Sequence, residues 1–505
     1  MGKYLIRSGT SSLTRVTPHP GNTRILVTKS GGSMTFANAT ALGDSIMDGL
    51  PPTYYGLRAY ITSAETLNDV AVSGQSLQTA ASGIAATIDA WPDSEAYFVH
   101  LGWNDAVAAR TAAQMFADLQ TIANAVVADG QKFYYSGIIP AALAVGWTQT
   151  VQDEIDYFLF LTCEWMRGQS DMFYVEQWSA FINTVEASAA ADLKDATYAS
   201  GNLHLSEVGA QLGAANIDAV HRSKYQSPVG TRTRAVLDRF AALTAQEERS
   251  MAIFVYRQIR YNDNWDQVFE AYTYRLNSTD SLTPMKGNGD DPTVILGTNG
   301  TATHNAKDGW ALTAPSGANN RAIHWGFTPA DVADGGGSLG WQVGAYFSAL
   351  SATAASGFMD LMGVSLGTDP GTGNPYGTCA LTWESNPRLR NWFEIPFSAV
   401  NVDAAALATN VNTLLVIGSD EAWQNPRDVW TIKGLTEYPA SQGMFGTVSP
   451  PSPNYGVLNG VHQSGTNGAN QGSMTACFLY AAQSADFARY YWADGVEKYM
   501  ALLAV

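Results

Sequence analysis

AYFVHLG (Ala96–Gly102) is a short, continuous apolar run that ends in glycine, a pattern typical of a buried strand. KFYYSGIIP (Lys132–Pro140) and DMFYVEQW (Asp171–Trp178) are runs of the same kind. Between these runs lie two longer stretches with apolar residues at helical spacing, AAQMFADLQTIANAVVADG (Ala112–Gly130) and QDEIDYFLFLTCEWMRGQ (Gln152–Gln169). Alternating strands and helices predict an α/β fold, in which helices cover both faces of a parallel sheet.

The 505 residues exceed what one hydrophobic core usually supports, and the pattern changes along the chain. Residues 1–35 contain short β-like segments broken by turns, which predict an attachment segment or an extra hairpin. The alternation of strands and helices occupies residues 36–226, and residues 227–264 form a linker with a helix. Over residues 265–505, short alternating runs are separated by Gly, Asn, Asp and Pro clusters, and a helical pattern ends the chain. These features predict an all-β sandwich with a C-terminal helix.

The chain is acidic and carries few charges. Charged residues make up 14% of it, and the formal net charge is −17. Binding to a phosphate backbone needs clustered Lys and Arg, so we expect no nucleic-acid partner. The first residues lack the apolar core of a signal peptide, and no window approaches the roughly 18 apolar residues of a membrane span. We therefore expect synthesis in the cytoplasm and no membrane insertion.

The cysteines and histidines show no metal-binding spacing. Cys163, Cys379 and Cys477 are far apart and odd in number, so we interpret them as buried apolar residues. No glycine-rich loop has the phosphate-binding pattern, and we expect neither a metal nor a cofactor. His100, within the run AYFVHLG, is interpreted as a packed core histidine.

The first two segments with candidate chemistry are a serine motif and a glycine block. Ser45 follows Gly43 and Asp44, between an apolar run and a helical stretch. A serine at such a turn has an exposed hydroxyl and a free N–H at the helix N-terminus. Gly74 follows a strand-like segment, and a glycine there lets the backbone approach a substrate and donate its N–H.

The next two segments supply an amide and an imidazole. Asn104 lies in a Gly-Trp-Asn-Asp sequence from Gly102 to Asp105, directly after an apolar run, and its side chain can donate to an oxyanion. His204 precedes a helical stretch near the end of the α/β region. A histidine in such a place can act as a general base toward a serine hydroxyl.

The order of these segments resembles the SGNH (GDSL-like) hydrolase superfamily: GDS, a glycine block, G-x-N-D and a C-terminal histidine. The resemblance covers about Phe36–Lys224 and implies a flavodoxin-like α/β/α fold that hydrolyses carboxylic esters, often acetyl groups on sugars. It implies that Ser45 is the nucleophile and His204 the general base. It also implies an oxyanion hole made by the N–H groups of Ser45 and Gly74 and the side chain of Asn104. The remaining motif positions have structural roles; they are Gly43, Asp44, Gly102 and Asp105.

The sequence departs from this family three residues before the histidine, where an acid is usual and Gly201 stands. Three readings stay open. A backbone carbonyl orients the imidazole and leaves a Ser–His dyad, Asp195 reaches the ring from upstream, or the site is inactive. Each motif residue alone also has a structural explanation, as a cap or a turn residue. Four such residues in the family's order favour a functional site.

The second half resembles, more loosely, the concanavalin A-like (laminin G-like) jelly-roll modules of bacteriophage tail and virion proteins. This resemblance implies contact with host surface polysaccharide, assembly with other virion or tail proteins, and a homotrimer. It also implies a location in a virion tail or fibre that is assembled in the host cytoplasm. Aromatic side chains can stack on sugar rings, although we interpret most tryptophans of this half as core residues. They include Trp310, Trp325, Trp341, Trp383 and Trp430.

Two functions follow from these resemblances. The first is a phage tail esterase that removes O-acetyl groups from host surface polysaccharide. The second is a non-catalytic virion protein, structural or receptor-binding, that uses the SGNH domain as a scaffold. Gly201 is the feature that favours the second function.

Overall fold

The computed structural model divides the chain into two compact units. The first unit comprises Met1–Ala235 and Val255–Asp263, and the second comprises Val236–Phe254 and Asn264–Val505. The domain boundaries expected from the sequence remain predictions. The structure describes residues 5–7, 13–15, 35–141, 147–184, 186, 192–199, 203–261, 264–277, 279–287, 290–296, 301–314, 321–326, 341–352, 358–365, 379–384, 389–393, 398–402, 413–419, 429–433, 436–439, 455–458, 472–483 and 489–504. None of the helices formed by these residues is both long and apolar enough to span a membrane.

A five-stranded parallel sheet forms the centre of the first unit. The strands of this unit are β1 (Leu5–Arg7), β2 (Leu13–Arg15), β3 (Phe36–Gly43), β4 (Gly49–Leu50), β5 (Tyr54–Tyr55), β6 (Ala64–Asp69), β7 (Ala96–His100), β8 (Lys132–Ser136) and β9 (Met172–Val175). The parallel sheet has the order β6-β3-β7-β8-β9, so β3 lies between β6 and β7. Two short antiparallel pairs, β1 with β2 and β4 with β5, lie outside it.

The described residues before residue 261 form nine α-helices. They are α1 (Ser45–Asp48), α2 (Leu77–Ala90), α3 (Trp103–Val107), α4 (Ala112–Ala128), α5 (Gln149–Arg167), α6 (Trp178–Phe181), α7 (Glu207–Ser223), α8 (Val229–Leu237) and α9 (Ala245–Arg260), with 3-10 helices at Leu57–Tyr60 and Asp195–Thr197. The longer ones start at side-chain caps, because a hydroxyl accepts the otherwise unpaired N–H groups of the first turn. Ser76, Thr111, Thr148 and Ser206 cap α2, α4, α5 and α7.

The predicted α/β architecture of the first half is confirmed. The apolar runs at residues 96–102, 132–140 and 171–178 contain β7, β8 and β9, and the two helical stretches contain α4 and most of α5. All five residues of β7 are buried, which explains why its sequence is apolar up to His100 rather than alternating. Among the described residues before Phe36, β1 and β2 form the short β segments expected there, and Thr23–Thr28, expected to be strand-like, lies outside the described residues.

A buried network of charges holds the end of α9 within the first unit. The guanidinium of Arg257 contacts the carboxylates of Asp156 at 2.6 Å and Glu186 at 2.7 Å, and it also contacts Asp153. Arg260 contacts the same Asp156 at 2.8 Å. Burial alone would raise the pKa of Asp156, but the two arginines outweigh it and hold the pKa below its usual value. The network therefore stabilises the fold only as long as every charge keeps its partner.

Antiparallel strands account for most of the described residues of the second unit. They are β10 (Val268–Thr273), β11 (Pro284–Lys286), β12 (Asp290–Leu296), β13 (Thr301–Asn305), β14 (Gly309–Ala314), β15 (Arg321–Gly326), β16 (Trp341–Ala352), β17 (Phe358–Ser365), β18 (Cys379–Glu384), β19 (Leu389–Phe393), β20 (Ser398–Val402), β21 (Thr413–Ser419), β22 (Val429–Lys433), β23 (Thr436–Pro439), β24 (Tyr455–Leu458) and β25 (Gly472–Gln483). One sheet has the order β11-β10-β25-β16-β21-β22-β23, with β14 also on β25 and β13 on β14. The other has the order β12-β15-β24-β17-β18-β19-β20. The prediction of a β region in the second half is confirmed.

The described residues after residue 263 also form helices α10 (Asn264–Gln267) and α11 (Arg489–Leu503), and α11 is the predicted C-terminal helix. Its Trp492 and Tyr499 pack against aromatic rings of β25, with ring centroids 5.3 Å apart for Tyr480–Trp492 and 6.1 Å for Phe478–Tyr499. Phe254 of α9 stacks on Tyr499 at 4.9 Å. These fully or nearly fully buried rings form the aromatic part of this unit's core.

We expect Arg257→Met to lower the free energy of unfolding of the first unit by about 3–5 kcal/mol, because it takes the positive charge of the guanidinium away from the buried carboxylates of Asp153, Asp156 and Glu186. The matched change is Lys132→Met, which removes an ion pair with Asp171 whose side chains are 40% and 42% exposed. That exposed pair should contribute only about 0–1 kcal/mol. Denaturant unfolding of both variants measures the difference, and equal losses would contradict the prediction.

Candidate active site

Ser45 lies where β3 ends and the short helix α1 begins. Asp44 caps this helix, and its carboxylate accepts the N–H of Ile46 at 2.9 Å. The backbone passes so close to Gly43 that no side chain fits there: a Cβ at this position would lie 2.8 Å from the carbonyl oxygen of His100. The turn therefore presents Ser45 at the carboxyl edge of the sheet, and this side chain is neither fully buried nor fully exposed.

His204 lies beside Ser45, although the two residues are far apart in the sequence. The Nε2 atom of His204 is 2.9 Å from the Oγ atom of Ser45. The backbone around the histidine is held on both sides: Ala199 N–H donates to the carbonyl of His204 at 2.9 Å, and Tyr55 N–H donates to the carbonyl of Leu205 at 3.0 Å. A hydroxyl and an imidazole nitrogen at this distance can exchange a proton.

Burial lowers the pKa of His204 below its usual value of 6.5, and the nearby carboxylate of Asp44 partly opposes this shift. The imidazole is therefore neutral at neutral pH. A neutral ring that accepts the Ser45 hydroxyl proton at Nε2 carries its own proton at Nδ1. That protonation state is the one a general base needs.

A second histidine, His100, contacts the turn that contains Ser45. His100 is 1% exposed, and its Nδ1 lies 3.3 Å from a carboxylate oxygen of Asp44. Its Nε2 accepts the N–H of Ile139 at 3.4 Å, so the proton of the neutral ring lies on Nδ1 and is donated to Asp44. His100 is packed in the core, as expected, but its contact with the serine motif was not predicted from the sequence.

The glycine block and the Gly-Trp-Asn-Asp segment are joined to the same edge of the sheet. Val72 N–H donates to the carbonyl of Gly43 at 2.8 Å, which holds the loop containing Gly74 next to the serine turn. Gly74 has a φ of +80°, a conformation that favours glycine. The side-chain amide of Asn104 donates to the carbonyl of Gln75 at 2.9 Å, so one of its two hydrogens stays available for another acceptor.

Asp105 and Gly102 fix the position of Asn104. The buried carboxylate of Asp105 accepts the N–H groups of Leu77, at 2.7 Å, and of Gln78 at the start of α2. Gly102 precedes the first residue of α3, with a φ of +122°. Within the described part of the chain, no hydrogen bond occupies the N–H groups of Ser45 or Gly74. These two N–H groups and the free amide hydrogen are the donors expected of an oxyanion hole.

Asp195 is not brought to the imidazole. It is exposed, in the 3-10 helix Asp195–Thr197, and none of the described contacts joins its carboxylate to His204. Gly201 lies outside the described residues. Among the residues that are described, no carboxylate lies within hydrogen-bond distance of His204 Nδ1. The site is thus a Ser–His pair in its described part.

One aromatic contact was missed by sequence reasoning. The ring of Tyr54 stacks on the imidazole of His204. No local motif marks this tyrosine, because its contact depends on how a hairpin after α1 folds back toward a distant loop. No three His, Cys, Asp or Glu side chains in the described ranges form a group that could hold a metal ion.

Comparison with solved structures finds proteins similar to the N-terminal part of the chain. A GDSL-like lipase from Bacteroides thetaiotaomicron is 15% identical, over 37% of this chain and 89% of that one, with a TM-score of 0.30. A lipase from a goat rumen metagenome is 10% identical, over 37% and 98%, with a TM-score of 0.30. A catalytic mutant of an acetylxylan esterase from Geobacillus stearothermophilus is 13% identical, over 38% and 96%, with a TM-score of 0.28. At these identities and TM-scores the similarities add no argument about activity.

No protein-family model and no curated protein matches the chain.

We expect the pKa of His204 to fall further in Asp44→Asn, because the negative charge that raises it is removed. The asparagine oxygen still accepts from Ile46 and His100, so the turn should persist. An NMR titration of the His204 ring, assigned with His204→Gln, measures the shift directly. The control is Asp89→Asn, an exposed position near the far end of α2, about 18 Å along the helix from its start and screened by salt. An unchanged or higher pKa in Asp44→Asn would contradict this account of the site.

Proposed function

We propose that the first half of the chain is a serine esterase of the SGNH (GDSL-like) hydrolase type, with Ser45 as nucleophile and His204 as general base. The observation that carries the proposal is the 2.9 Å separation of Ser45 Oγ and His204 Nε2. The strand order of the central sheet supports it, since β6-β3-β7-β8-β9 corresponds to the flavodoxin-like order 2-1-3-4-5. Ligands of such sheets bind where the strand order reverses, which is at the carboxyl ends of β3 and its neighbours.

The reaction proceeds through an acyl-enzyme. Ser45 Oγ attacks the ester carbonyl carbon while His204 Nε2 takes the hydroxyl proton. The negative charge that develops on the carbonyl oxygen is met by the N–H groups of Ser45 and Gly74 and the amide of Asn104. The imidazolium returns the proton to the leaving alcohol, and an ester of Ser45 remains. Water, deprotonated by His204, then attacks this ester and releases the acid and the serine hydroxyl.

The alternative is a non-catalytic virion protein that uses the same domain as a scaffold. Gly201, in the position of the usual acid, favours this reading. The contact between the hydroxyl and the imidazole favours the enzyme, because a scaffold needs no hydrogen bond between these two side chains. The lowered pKa of His204 also fits a base better than a surface histidine.

We expect Ser45→Ala to abolish hydrolysis of p-nitrophenyl acetate without unfolding the protein, because it removes the attacking oxygen and only one half-buried polar atom. The rate measured by release of p-nitrophenol should fall at least ~10³-fold. Ser76→Ala, which removes the hydroxyl that caps α2, serves as a matched control for loss of a serine. A Ser45→Ala protein with the activity of the wild type would end the esterase proposal.

The finer proposal concerns the substrate and the setting. The enzyme removes O-acetyl groups from host surface polysaccharide, as part of a phage tail or virion appendage whose second half has a concanavalin A-like jelly-roll fold. This rests on the sequence resemblance of the second half and on the acidic, weakly charged composition, which suits a neutral ligand. The contacts of Trp310 are those of a packed residue and do not favour stacking on a sugar ring. Its indole N–H donates to Ser281 Oγ at 3.2 Å, and its ring packs on His304.

We expect the wild-type chain to release acetate from O-acetylated bacterial surface polysaccharide, and the Ser45→Ala variant to release none. Acetate is measured enzymatically after incubation with native polysaccharide and with the same material after alkaline deacetylation. Hydrolysis of p-nitrophenyl acetate without release from any acetylated polysaccharide tested would keep the esterase and reject this substrate class.

A further inference from the structure

The imidazole of His204 has an aromatic ring against one of its faces. The ring centroids of Tyr54 and His204 are 4.0 Å apart, and the two planes are inclined by only 15°. This is a face-to-face stack at contact distance, and both side chains are partly exposed. No residue of the sequence motifs makes a comparable contact with the ring.

The hairpin that carries Tyr54 is linked through its backbone to the segments of Ser45 and His204. It follows α1 directly and is formed by β4 and β5, with Leu50 paired with Tyr54 and Gly49 with Tyr55. Its Tyr55 N–H donates to the carbonyl of Leu205, next to the histidine. The serine turn, the tyrosine and the histidine loop are therefore linked by backbone contacts.

An arginine fixes the base of this hairpin. Arg58 Nε donates to the carbonyl of Asp48 at 3.0 Å, and its guanidinium contacts the carboxylates of Asp48 at 3.0 Å and Asp69 at 3.1 Å. Asp48 ends α1, and Asp69 ends β6. The hairpin is thereby anchored to the parallel sheet, which gives the tyrosine ring a fixed place.

We propose that Tyr54 is a positioning residue for His204: its ring fixes the plane of the imidazole and stabilises the positive charge that the ring acquires when it takes the Ser45 proton. The inference rests on the proposed esterase function. An imidazole that makes one hydrogen bond can still rotate about its Cβ–Cγ bond, and a stacked ring restricts that rotation. The face of an aromatic ring is negative, so it attracts an imidazolium more than a neutral imidazole. The stack thus acts more strongly in the transition state than in the ground state.

The need for such a contact follows from the rest of the site. An acid beside a catalytic histidine normally orients the ring and stabilises its protonated form. Here the corresponding position is Gly201, and Asp195 is exposed and does not contact the ring. Tyr54 supplies part of both effects without a charge.

The first test compares three substitutions by kcat and KM for p-nitrophenyl acetate. Tyr54→Phe keeps the ring and should retain kcat within about twofold. Tyr54→Leu keeps an apolar side chain but removes the π face, and kcat should fall about tenfold with little change in KM. Tyr55→Leu, the matched control, removes the neighbouring ring of the same hairpin and should leave kcat within about twofold. Equal losses of kcat at both positions, or a loss confined to KM, would overturn the positioning role.

The second test lowers the electron density of the ring face with little change in the shape of the ring. Phenylalanine analogues with one to three ring fluorines, incorporated at position 54, should lower kcat stepwise as the negative charge of the ring face decreases. A ring that only fills space would give the same kcat with every analogue, and that result would reject charge stabilisation.

The third measurement does not depend on turnover. The stacked tyrosine should shift the His204 Hε1 NMR signal upfield through its ring current, and Tyr54→Leu should move that signal downfield while Tyr55→Leu leaves it in place. Absence of this shift would overturn the inference even if the chain hydrolyses no ester. Loss of activity in Ser45→Ala together with wild-type kcat in Tyr54→Leu would overturn the inference and leave the esterase proposal standing.

Discussion

The candidate site depends on the place of β3 inside a parallel sheet. Because β3 lies between β6 and β7 and runs parallel to both, the segments that follow these three strands emerge at one edge. Ser45 follows β3, Gly74 follows β6, and Asn104 follows β7. Hydrogen bonds from Val72 to Gly43 and from Asn104 to Gln75 then join the segments in pairs. An order in which β3 no longer lay between β6 and β7 would separate the hydroxyl from the proposed oxyanion donors.

The electrostatics of this edge balance two opposite requirements. A general base must be neutral before the reaction, which burial of His204 favours, and it must carry a positive charge during the reaction, which a nearby carboxylate favours. Asp44 provides that carboxylate: its Oδ1 accepts from Ile46 and His100, and none of the described hydrogen bonds joins it to the His204 ring. It is buried, and it caps the helix that begins at Ser45 and acts on the imidazole of His204 through space. Asp44 therefore both stabilises the turn and favours the protonated form of the His204 imidazole.

The sequence predicted those features that are local or that lie beside a strand end. Continuous apolar runs predicted β7, β8 and β9. Short motifs at strand ends predicted Ser45, Gly74 and Asn104, and a motif before a helix predicted His204. The fold gathers these four residues at or beside one edge of the sheet. The contacts of Tyr54 and His100 could not be predicted, because each depends on packing between segments distant in the sequence. The arginine network around Asp156 was missed for the same reason, since the charges that meet there come from α5, α9 and the segment at Glu186. In the second half the alternating pattern predicted strands but not their order, because alternation fixes which face a residue takes and not which strand is its neighbour.

We expect the absence of an acid at position 201 to lower kcat less than the removal of the acid from a Ser-His-Asp triad does. In a serine protease, changing the acid to an amide costs ~10⁴-fold in kcat, because the amide selects the wrong imidazole tautomer. Glycine has no side chain and selects no tautomer. In this chain the tautomer that accepts from the Ser45 hydroxyl at Nε2 carries its proton at Nδ1, and the partly exposed His204 can donate that proton to a hydrogen bond with water. What remains is the orientation and charge of the ring, and these are the two properties on which a stacked tyrosine and a nearby carboxylate can act.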